Sequence, residues 1–274
     1  MAANNRQPPL KELIVIIRGA GEQATGIACR LYRANFKRIL MLETSSPLAV
    51  RRLVSFCEAI HETSTTVEGI EAVRVTDDCE RDTAWESGKI AVLIDPQGES
   101  LTRGKAGVFI DATLAKRNLG TSITDAPLVI ALGPGFTAGA DCHVVIETNR
   151  GHDLGRLISS GMAAANTGIP GDIAGYTKER VLRAPADGVF TTEKQIGDRI
   201  RKGEVIGMVG TAEVASQLDG ILRGLIRPGS VVRKGLKIGD VDPRGEVSYC
   251  TTISEKARAL GGAVLEAILG VYNG

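Results

Sequence analysis

The stretch from Leu13 to Gly26 constrains the fold most, because an apolar, β-branched run ends there abruptly in a Gly-x-Gly turn. Helix-compatible residues follow at once, which predicts the strand, tight turn and helix start of a dinucleotide-type βα unit. Gly19 permits the tight turn, and Gly21 lets a phosphate approach the backbone. Amide N–H groups at the helix start would face the anion. The stretch therefore predicts a nucleotide-binding turn that extends through Thr25 and Gly26.

Two charges distinguish this turn from an ordinary nucleotide fingerprint. Arg18 ends the apolar run, so a cation lies beside the predicted phosphate turn. Glu22 lies in the first helical turn, where a carboxylate suits the helix dipole but repels a pyrophosphate. The alternative interpretation is that Glu22 stabilises the helix start and nothing anionic binds. The sequence leaves both interpretations open.

An acidic residue ends the second predicted strand, which runs from Arg38 to Leu42. Glu43 lies 22 residues beyond Gly21, close to the spacing of about 20 residues at which a carboxylate binds a ribose diol. The same carboxylate would repel a 2′-phosphate. This spacing favours NAD-like or adenosine-like ligands over NADP.

Further apolar runs along the first part of the chain also end in polar residues or glycine. Continuous apolar runs are typical of parallel strands covered on both faces, so we predict a Rossmann-like parallel sheet domain. Ligands of such sheets bind outside the carboxyl ends of the strands, although Asp and Gly also end strands simply as turn residues. The residues predicted to share one crevice are Arg18, Glu43, Asp95, Asp111, the turn Gly133–Phe136 with Gly133 and Gly135, and Glu147.

Two of these strand ends carry candidate catalytic residues. Lys116 follows closely behind Asp111, and His152 follows Glu147. A histidine beside a carboxylate is a candidate general acid or base near neutral pH. The alternative is that these side chains are solvated neighbours of turns. No metal site is predicted, since the adjacent Cys142 and His143 would face opposite sides of a strand.

The composition indicates which binding partners and which cellular compartment to expect. A net charge of +1 over 274 residues lacks the excess of positive charge with which proteins bind nucleic acid or an anionic membrane. Five cysteines without a Cys-x-x-Cys pair indicate reduced thiols. The first residues lack an apolar signal-peptide core, and no apolar run approaches the ~20 residues that span a bilayer. We therefore expect a cytoplasmic protein.

An internal repeat of 32 residues follows a glycine-rich linker that ends near Tyr176. Such an offset predicts two copies of one β unit, and the pattern resembles the barrel-sandwich hybrid of biotinyl and lipoyl carrier domains. No lysine lies between Lys202 and Lys234, so we expect no covalent biotin or lipoyl group. The matching positions are Asp187-Gly188, Gly197, Lys202-Gly203 and Ile206-Gly207 with Asp219-Gly220, Gly229, Lys234-Gly235 and Ile238-Gly239.

The predicted organisation is an α/β chain of three parts. Residues 1–176 form the Rossmann-like nucleotide-binding domain, residues 177–249 the all-β barrel-sandwich hybrid, and residues 250–274 a C-terminal helix. Within the first domain, the run from Pro47 to Ile60 predicts another helix. The apolar stripe of the C-terminal helix predicts packing on a domain face or at the subunit interface of a homo-oligomer. That stripe consists of Ala257, Leu260, Val264 and Ile268.

Several phrases taken together resemble the YqeB-type accessory proteins of selenium-dependent molybdenum hydroxylase systems. The resemblance implies a role in maturing such hydroxylases, with a molybdenum hydroxylase or its cofactor-maturation proteins as partners. It also implies the handling of selenium or of the molybdenum pterin cofactor, and it indicates no catalytic residues. Together with the glycine turn and Glu43, it predicts a nucleotide or dinucleotide ligand, NAD-like or a molybdopterin dinucleotide. The phrases, in order from Leu13 to Gly270, are IRGAGEQATG, PLAVRR, DATLAKRN, ALGPGF, VIETNRGHDLGR, APADG, GLKIGDVDPR and KARALGGAVLEA.

Two other functions stay open at this point. The protein would be an NAD-dependent oxidoreductase if Asp111 and Lys116, or Glu147 and His152, formed a catalytic pair. It would be a non-catalytic scaffold or docking protein if the crevice bound nothing.

Overall fold

The computed structural model describes residues 9–103 and 105–273, which form two compact units. Unit 1 takes the described residues up to Pro47, Phe56–Asn166 and those from Ser254 onward, whereas unit 2 takes Leu48–Ser55 and Thr167–Ile253. Residues 1–8, on which the expectation of a missing signal peptide partly rests, lie outside the described residues. The chain therefore leaves unit 1 twice and returns to it twice.

Unit 1 is built around one nine-stranded sheet and combines strands with helices. In chain order they are β1 (Ile14–Arg18), α1 (Glu22–Arg33), β2 (Arg38–Glu43), α2 (Ala59–Glu62), β3 (Ser64–Val67), β4 (Ile70–Val75), α3 (Asp78–Glu86), β5 (Ile90–Ile94), α4 (Ser100–Arg103), β6 (Val108–Asp111), β7 (Leu128–Leu132), β8 (Thr137–Ala138), β9 (Val144–Ile146), β10 (Leu157–Ile158), β11 (Gly161–Met162) and, near the end of the chain, α5 (Glu255–Tyr272).

The sheet has the strand order β10-β9-β7-β6-β1-β2-β5-β4-β3. The seven strands from β9 to β4 run parallel, and the apolar runs of β1, β6 and β7 are almost completely buried. Each edge strand is antiparallel to its neighbour: β3 pairs with β4, and β10 pairs with β9. The sheet is therefore mixed.

The predicted fold class is wrong for this unit. A Rossmann-like domain has a parallel sheet with helical crossovers, whereas this sheet has antiparallel edges. The connections from β6 to β7 and from β7 to β9, all of whose residues are described, contain no helix. Continuous apolar runs report burial on both faces of a strand, but they do not report the direction of short edge strands or the form of the crossovers.

Helix α5 packs on α1, β7 and β9 and buries its predicted stripe. Ala257, Leu260, Val264 and Ile268 are each completely shielded from solvent. The two helices approach closely, because a Cβ added at Gly261 would lie 3.1 Å from the carbonyl oxygen of Gly26. This glycine contact explains why α1 and α5 can share one layer on the sheet.

Unit 2 is all β, and its strands form two four-stranded antiparallel sheets. One sheet has the order β12-β19-β17-β14 and the other β16-β15-β13-β18. The strands are β12 (Val181–Arg183), β13 (Gly188–Thr191), β14 (Arg199–Ile200), β15 (Val205–Val209), β16 (Ala212–Ala215), β17 (Gly220–Leu225), β18 (Val231–Val232) and β19 (Lys237–Asp242).

The prediction of a biotinyl/lipoyl-like barrel-sandwich hybrid is also wrong. The strands form these two separate sheets, and a segment from far outside the predicted domain belongs to the unit. The amide of Leu225 donates to the carbonyl of Val50 at 2.7 Å, and the Arg52 Nε donates back to the Leu225 carbonyl at 2.8 Å. These contacts also explain why Pro47–Ile60 is not one helix: it contains 3₁₀ turns at Arg52–Val54 and Phe56–Glu58 before α2.

The 32-residue offset is visible in the strands of unit 2. β17, β18 and β19 begin 32 residues after β13, β14 and β15. The two halves also exchange equivalent hydrogen bonds: Lys202 N–H donates to Asp219 Oδ1, and Lys234 N–H donates to Asp187 Oδ1, both at 2.7 Å. Each half thus completes a turn of the other half.

Candidate functional site

The glycine turn between β1 and α1 contains two glycines with different constraints. Gly19 has φ +97°, and a Cβ there would lie 3.2 Å from the carbonyl oxygen of Ala112. Gly21 has φ −72° and is the N-cap of α1, to which it contributes no side-chain hydrogen bond. Apart from its two chain neighbours, no atom of the described residues lies within 4 Å of the position that its Cβ would take. The local backbone requires glycine at position 19, whereas the space beside Gly21 is open.

Glu43 braces this turn with both carboxylate oxygens. Its Oε2 accepts a hydrogen bond from the Ala20 N–H at 2.9 Å, and its Oε1 accepts one from the Thr44 N–H at 2.8 Å. The parallel register that pairs Arg18 with Leu42 places Glu43 directly beside the turn. The carboxylate predicted to bind a ribose therefore lies at the glycine turn and is partly exposed.

Thr25 and Gly26 lie inside the core rather than on the surface of the turn. The Thr25 hydroxyl donates to the carbonyl of Ala20 at 3.1 Å and accepts from the Phe56 N–H at 2.8 Å. Gly26 faces α5 across the contact with Gly261. Both residues support the turn from within, and neither presents a group to solvent.

Arg18 is buried, and its guanidinium contacts two neighbouring loops. Its guanidinium donates to the carbonyls of Pro96 at 3.3 Å, Gln97 at 3.1 Å and Leu119 at 3.3 Å. Arg18 therefore ties the loop after β5 to the loop after β6. No pattern in the sequence indicated these carbonyl partners.

Asp95 shapes the first of those loops. Its carboxylate accepts from the Glu99 N–H at 2.9 Å and from the N–H and hydroxyl of Ser100 at 2.8 and 2.5 Å. Burial alone would raise the pKa of Asp95, but the hydrogen bonds from Ser100, Glu99 and Gly98 outweigh it and lower that pKa below its usual value. The carboxylate is thus held ionised as a structural group.

Asp111, a predicted catalytic residue, is 1% exposed and accepts three hydrogen bonds. Its donors are the Thr113 N–H at 3.1 Å and the hydroxyls of Thr113 and Thr121, both at 2.7 Å. Lys116 lies in the exposed loop that follows, with φ +63°. Among the described residues, no hydrogen bond or ion pair joins these two side chains.

The second glycine turn, Gly133–Phe136, is filled by protein. A Cβ at Gly133 would lie 2.6 Å from the Thr148 Oγ1, and one at Gly135 would lie 2.5 Å from the backbone of Arg117. Both glycines have positive φ, +80° and +105°. Phe136 is buried beneath them. This turn leaves no opening for a ligand at its glycines.

Glu147 and His152 end up in different surroundings. Glu147 is buried, and its two oxygens accept from the N–H groups of Asn149 at 2.6 Å and Ala164 at 2.7 Å. His152 is exposed, and in the described part of the chain its ring makes no hydrogen bond or ion pair. The structure therefore brings Glu43 to the glycine turn but does not assemble Asp111, Lys116 and His152 into a catalytic group.

Four of the five cysteines are buried, and only Cys79 is exposed. Burial raises the pKa of Cys29 to about 12 and that of Cys142 to about 11. It also raises the pKa of Cys250. Since the thiolate is the reactive form, these three thiols are poor nucleophiles near neutral pH.

The described residues also bear on metal binding and on membranes. They contain no group of three or more His, Cys, Asp or Glu side chains placed to hold a metal ion. None of the helices they form is long and apolar enough to cross a bilayer.

Comparison with curated protein sequences gives a close relative. The chain is 49% identical over 261 residues to the uncharacterized protein YqeB of Escherichia coli (strain K12). The match covers 95% of this chain but 48% of YqeB, so the chain spans about half the length of that relative. The chain is thus similar to part of YqeB over nearly all of its own length. No protein-family model matches the sequence.

Solved structures show only weak likeness. An aspartoacylase family protein from Mesorhizobium loti is 12% identical, with a TM-score of 0.27, 83% of this chain and 84% of that chain covered. The apo ectoine utilization protein EutE (DoeB) from Ruegeria pomeroyi is 10% identical, with a TM-score of 0.24 and coverage of 84% and 86%. A succinylglutamate desuccinylase/aspartoacylase from Rhodobacter sphaeroides is 22% identical, with a TM-score of 0.23 and coverage of 31% and 29%. Likeness this weak supports no inference about activity.

Proposed function

We propose, from the sequence phrases that resemble YqeB-type accessory proteins, that this protein is an accessory factor in the maturation of selenium-dependent molybdenum hydroxylases. It binds a nucleotide, or a molybdenum cofactor that bears a nucleotide, at the glycine turn of unit 1. The family resemblance supports the role in maturation, and the open space beside Gly21 supports the place of binding.

The observation that carries the binding proposal is the N-terminus of α1, where the N-cap Gly21 adds no side chain and leaves open space beside it. The first amide N–H groups of a helix have no partner within the helix and carry the positive end of its dipole. Gly21 adds no capping side chain, and the direction of its absent Cβ is empty of protein. A phosphate oxygen placed there would accept hydrogen bonds from the helix amides.

Glu43 and Glu22 restrict which phosphates fit. An ionised carboxylate has about four acceptor sites, and Glu43 uses two of them on the turn, which leaves sites for ribose hydroxyl groups. The negative charges of Glu43 and Glu22 disfavour a free pyrophosphate or a 2′-phosphate near the turn. The ligand is therefore a nucleotide with a free ribose diol rather than an NADP-like molecule.

The same geometry bears on the two competing functions, an NAD-dependent oxidoreductase and a non-catalytic scaffold. Nothing in the site favours an oxidoreductase, since Asp111 is buried with its hydrogen bonds satisfied and His152 has no carboxylate partner among the described residues. The scaffold hypothesis makes a different prediction for ligand binding, so one experiment separates it from our proposal.

The experiment measures thermal stability and binding heat with NAD, ATP, CTP, GTP and a molybdopterin dinucleotide. A ligand at a hundredfold over its Kd stabilises the folded protein by about 2.7 kcal/mol. Gly21→Asp places a carboxylate on the helix amides and should abolish binding. Ser254→Asp adds the same charge at the N-cap of α5, where Ser254 already caps the helix, and should leave binding unchanged.

Two readouts test the two parts of the proposal. If no nucleotide shifts the melting temperature, or if Gly21→Asp binds as well as Ser254→Asp, the binding site is refuted and the scaffold hypothesis gains. In cells, Gly21→Asp should lower the activity of the molybdenum hydroxylases while their polypeptides accumulate normally. Full hydroxylase activity in that variant would refute the maturation role.

A further inference from the structure

Unit 2 contains a cleft of about 580 Å³, a volume within the range of small-ligand sites. It lies where β14 meets β17, far in sequence from the glycine turn of unit 1. The residues that matter for its chemistry are Arg199, Arg201, Glu204, Asp219, Pro243 and Gly245.

Two arginines, Arg199 in β14 and Arg201 just after it, project from one side of this segment. Ile200 between them is 2% exposed and points into the core. Because side chains alternate along an extended segment, Arg199 and Arg201 both point outward, and both are exposed. Within the described residues, neither guanidinium makes a hydrogen bond or an ion pair. The hydrogen-bond donors of both guanidinium groups are therefore open to a bound anion.

The two carboxylates of the cleft are engaged elsewhere. Glu204 accepts from the Lys194 Nζ at 2.5 Å and from the Arg201 backbone N–H at 2.9 Å. This pairing with Lys194 lowers the pKa of Glu204 and raises that of Lys194. Asp219 accepts from the backbone N–H of Lys202 at 2.7 Å. The charge of Arg201 also contributes to lowering the pKa of Glu204, but neither carboxylate forms an ion pair with an arginine side chain among the described residues.

The internal repeat shows that this charge is not a requirement of the fold. The equivalent turn in the second half keeps the aspartate, lysine and glycine, and Arg233 corresponds to Arg201. Arg199, however, corresponds to Val231, which is 74% exposed, and Glu204 corresponds to Leu236. The same backbone turn therefore forms without the arginine pair.

We propose that Arg199 and Arg201 form a second binding site, for the phosphate or carboxylate group of a small organic anion. The planar guanidinium fork matches both groups in a bidentate manner. On an extended strand, residues two apart are separated by about 6.6 Å, so the two forks reach one oxyanion from two sides.

The test uses the full chain carrying Gly21→Asp, so that the helix terminus of unit 1 does not bind the probe. Inorganic phosphate and succinate are titrated separately by calorimetry. We expect saturable binding of at least one probe, and a loss of affinity of about tenfold or more in Arg199→Gln and in Arg201→Gln. Arg233→Gln, at the equivalent turn of the second half, should bind like its parent.

Each outcome either assigns the ligand class or overturns the site. Binding of phosphate alone assigns a phosphate ligand, and binding of succinate assigns a carboxylate ligand. Absence of saturable binding by both probes, or an equal loss in Arg233→Gln, overturns the proposal. If circular dichroism shows that Arg199→Gln lowers the melting temperature, Arg199→Lys replaces it. That variant keeps the charge but loses the fork, so unchanged affinity there also overturns the bidentate site.

Discussion

The two glycine turns of unit 1 look alike in sequence but differ in what surrounds them. Gly19–Gly21 and Gly133–Gly135 both follow a buried parallel strand and both read Gly-x-Gly. The missing side chains of Gly133 and Gly135 make room for protein atoms, whereas the space beside Gly21 is empty. A Gly-x-Gly turn is therefore a candidate ligand site only when protein does not fill the space that glycine leaves.

The largest expected effect is that of Gly135→Ala. Its φ of +105° is strained for alanine, and the new Cβ would lie 2.5 Å from the Arg117 backbone, which has no side-chain freedom to move. We expect a loss of about 3 kcal/mol or more in urea unfolding. Gly139→Ala is the matched control, because Gly139 has φ +87° but open space around it. Equal losses in the two variants would show that the contact with Arg117 contributes nothing.

A smaller effect is expected for Gly133→Ala, whose Cβ would meet the Thr148 side chain rather than backbone. We expect a loss of about 2 kcal/mol, since a side chain yields more easily than backbone. Adding Thr148→Ala removes the clashing hydroxyl, so the double variant should be more stable than the sum of the two single losses implies. Strict additivity in chemical denaturation would contradict the contact with Thr148 as the cause.

At the first turn, Glu43→Gln should have a moderate effect. The amide nitrogen of glutamine does not accept hydrogen bonds, so one of the two backbone N–H groups, of Ala20 or Thr44, loses its acceptor. We expect a loss of about 1 kcal/mol together with weaker binding of ribose-bearing ligands. Glu71→Gln, at a partly exposed ion pair with Lys89, is the control. A Glu43→Gln variant as stable as this control would show that the brace is unimportant.

The smallest effect on stability is expected for Gly21→Ala. Its φ of −72° suits alanine, and its Cβ would meet no protein atom. Alanine is a poorer N-cap than glycine, but it also lowers the entropy of the unfolded chain. These terms oppose each other, so the free energy of unfolding should change by less than about 0.5 kcal/mol. A loss as large as that of Gly133→Ala would remove the distinction between the two turns.

Local patterns predicted the elements around the first turn well. The strand–turn–helix at Leu13–Gly26, the strand that ends at Glu43 and the buried stripe of α5 all follow from apolar spacing. Apolar spacing did not predict the antiparallel edge strands or the helix-free crossovers. An apolar run indicates neither the direction of its strand nor the form of the connection to the next strand. The run Pro47–Ile60 has helical periodicity, yet hydrogen bonds between Val50, Arg52 and Leu225 divide it between two units.

Side-chain roles at the site were harder to predict than elements. The spacing to Glu43 placed a carboxylate at the turn, but its bond to the Ala20 amide depends on the parallel register of β1 and β2. The partner of the Thr25 hydroxyl is the amide of Phe56, which lies beyond the segment that belongs to unit 2. A sequence pattern does not indicate such hydrogen-bond partners, because distant segments must first pack together to bring them into contact.

The pairing of α1 with α5 has a consequence for how the protein is made. Helix α1 is synthesised early, but the helix that covers its glycine-containing face leaves the ribosome only after all of unit 2. Because domains tend to fold as they emerge, unit 2 has the opportunity to fold while α1 still lacks its cover. A ribosome that stops before Glu255 would therefore release a chain with a folded second unit and an unprotected first one, a product that quality control would recognise by its exposed apolar surface.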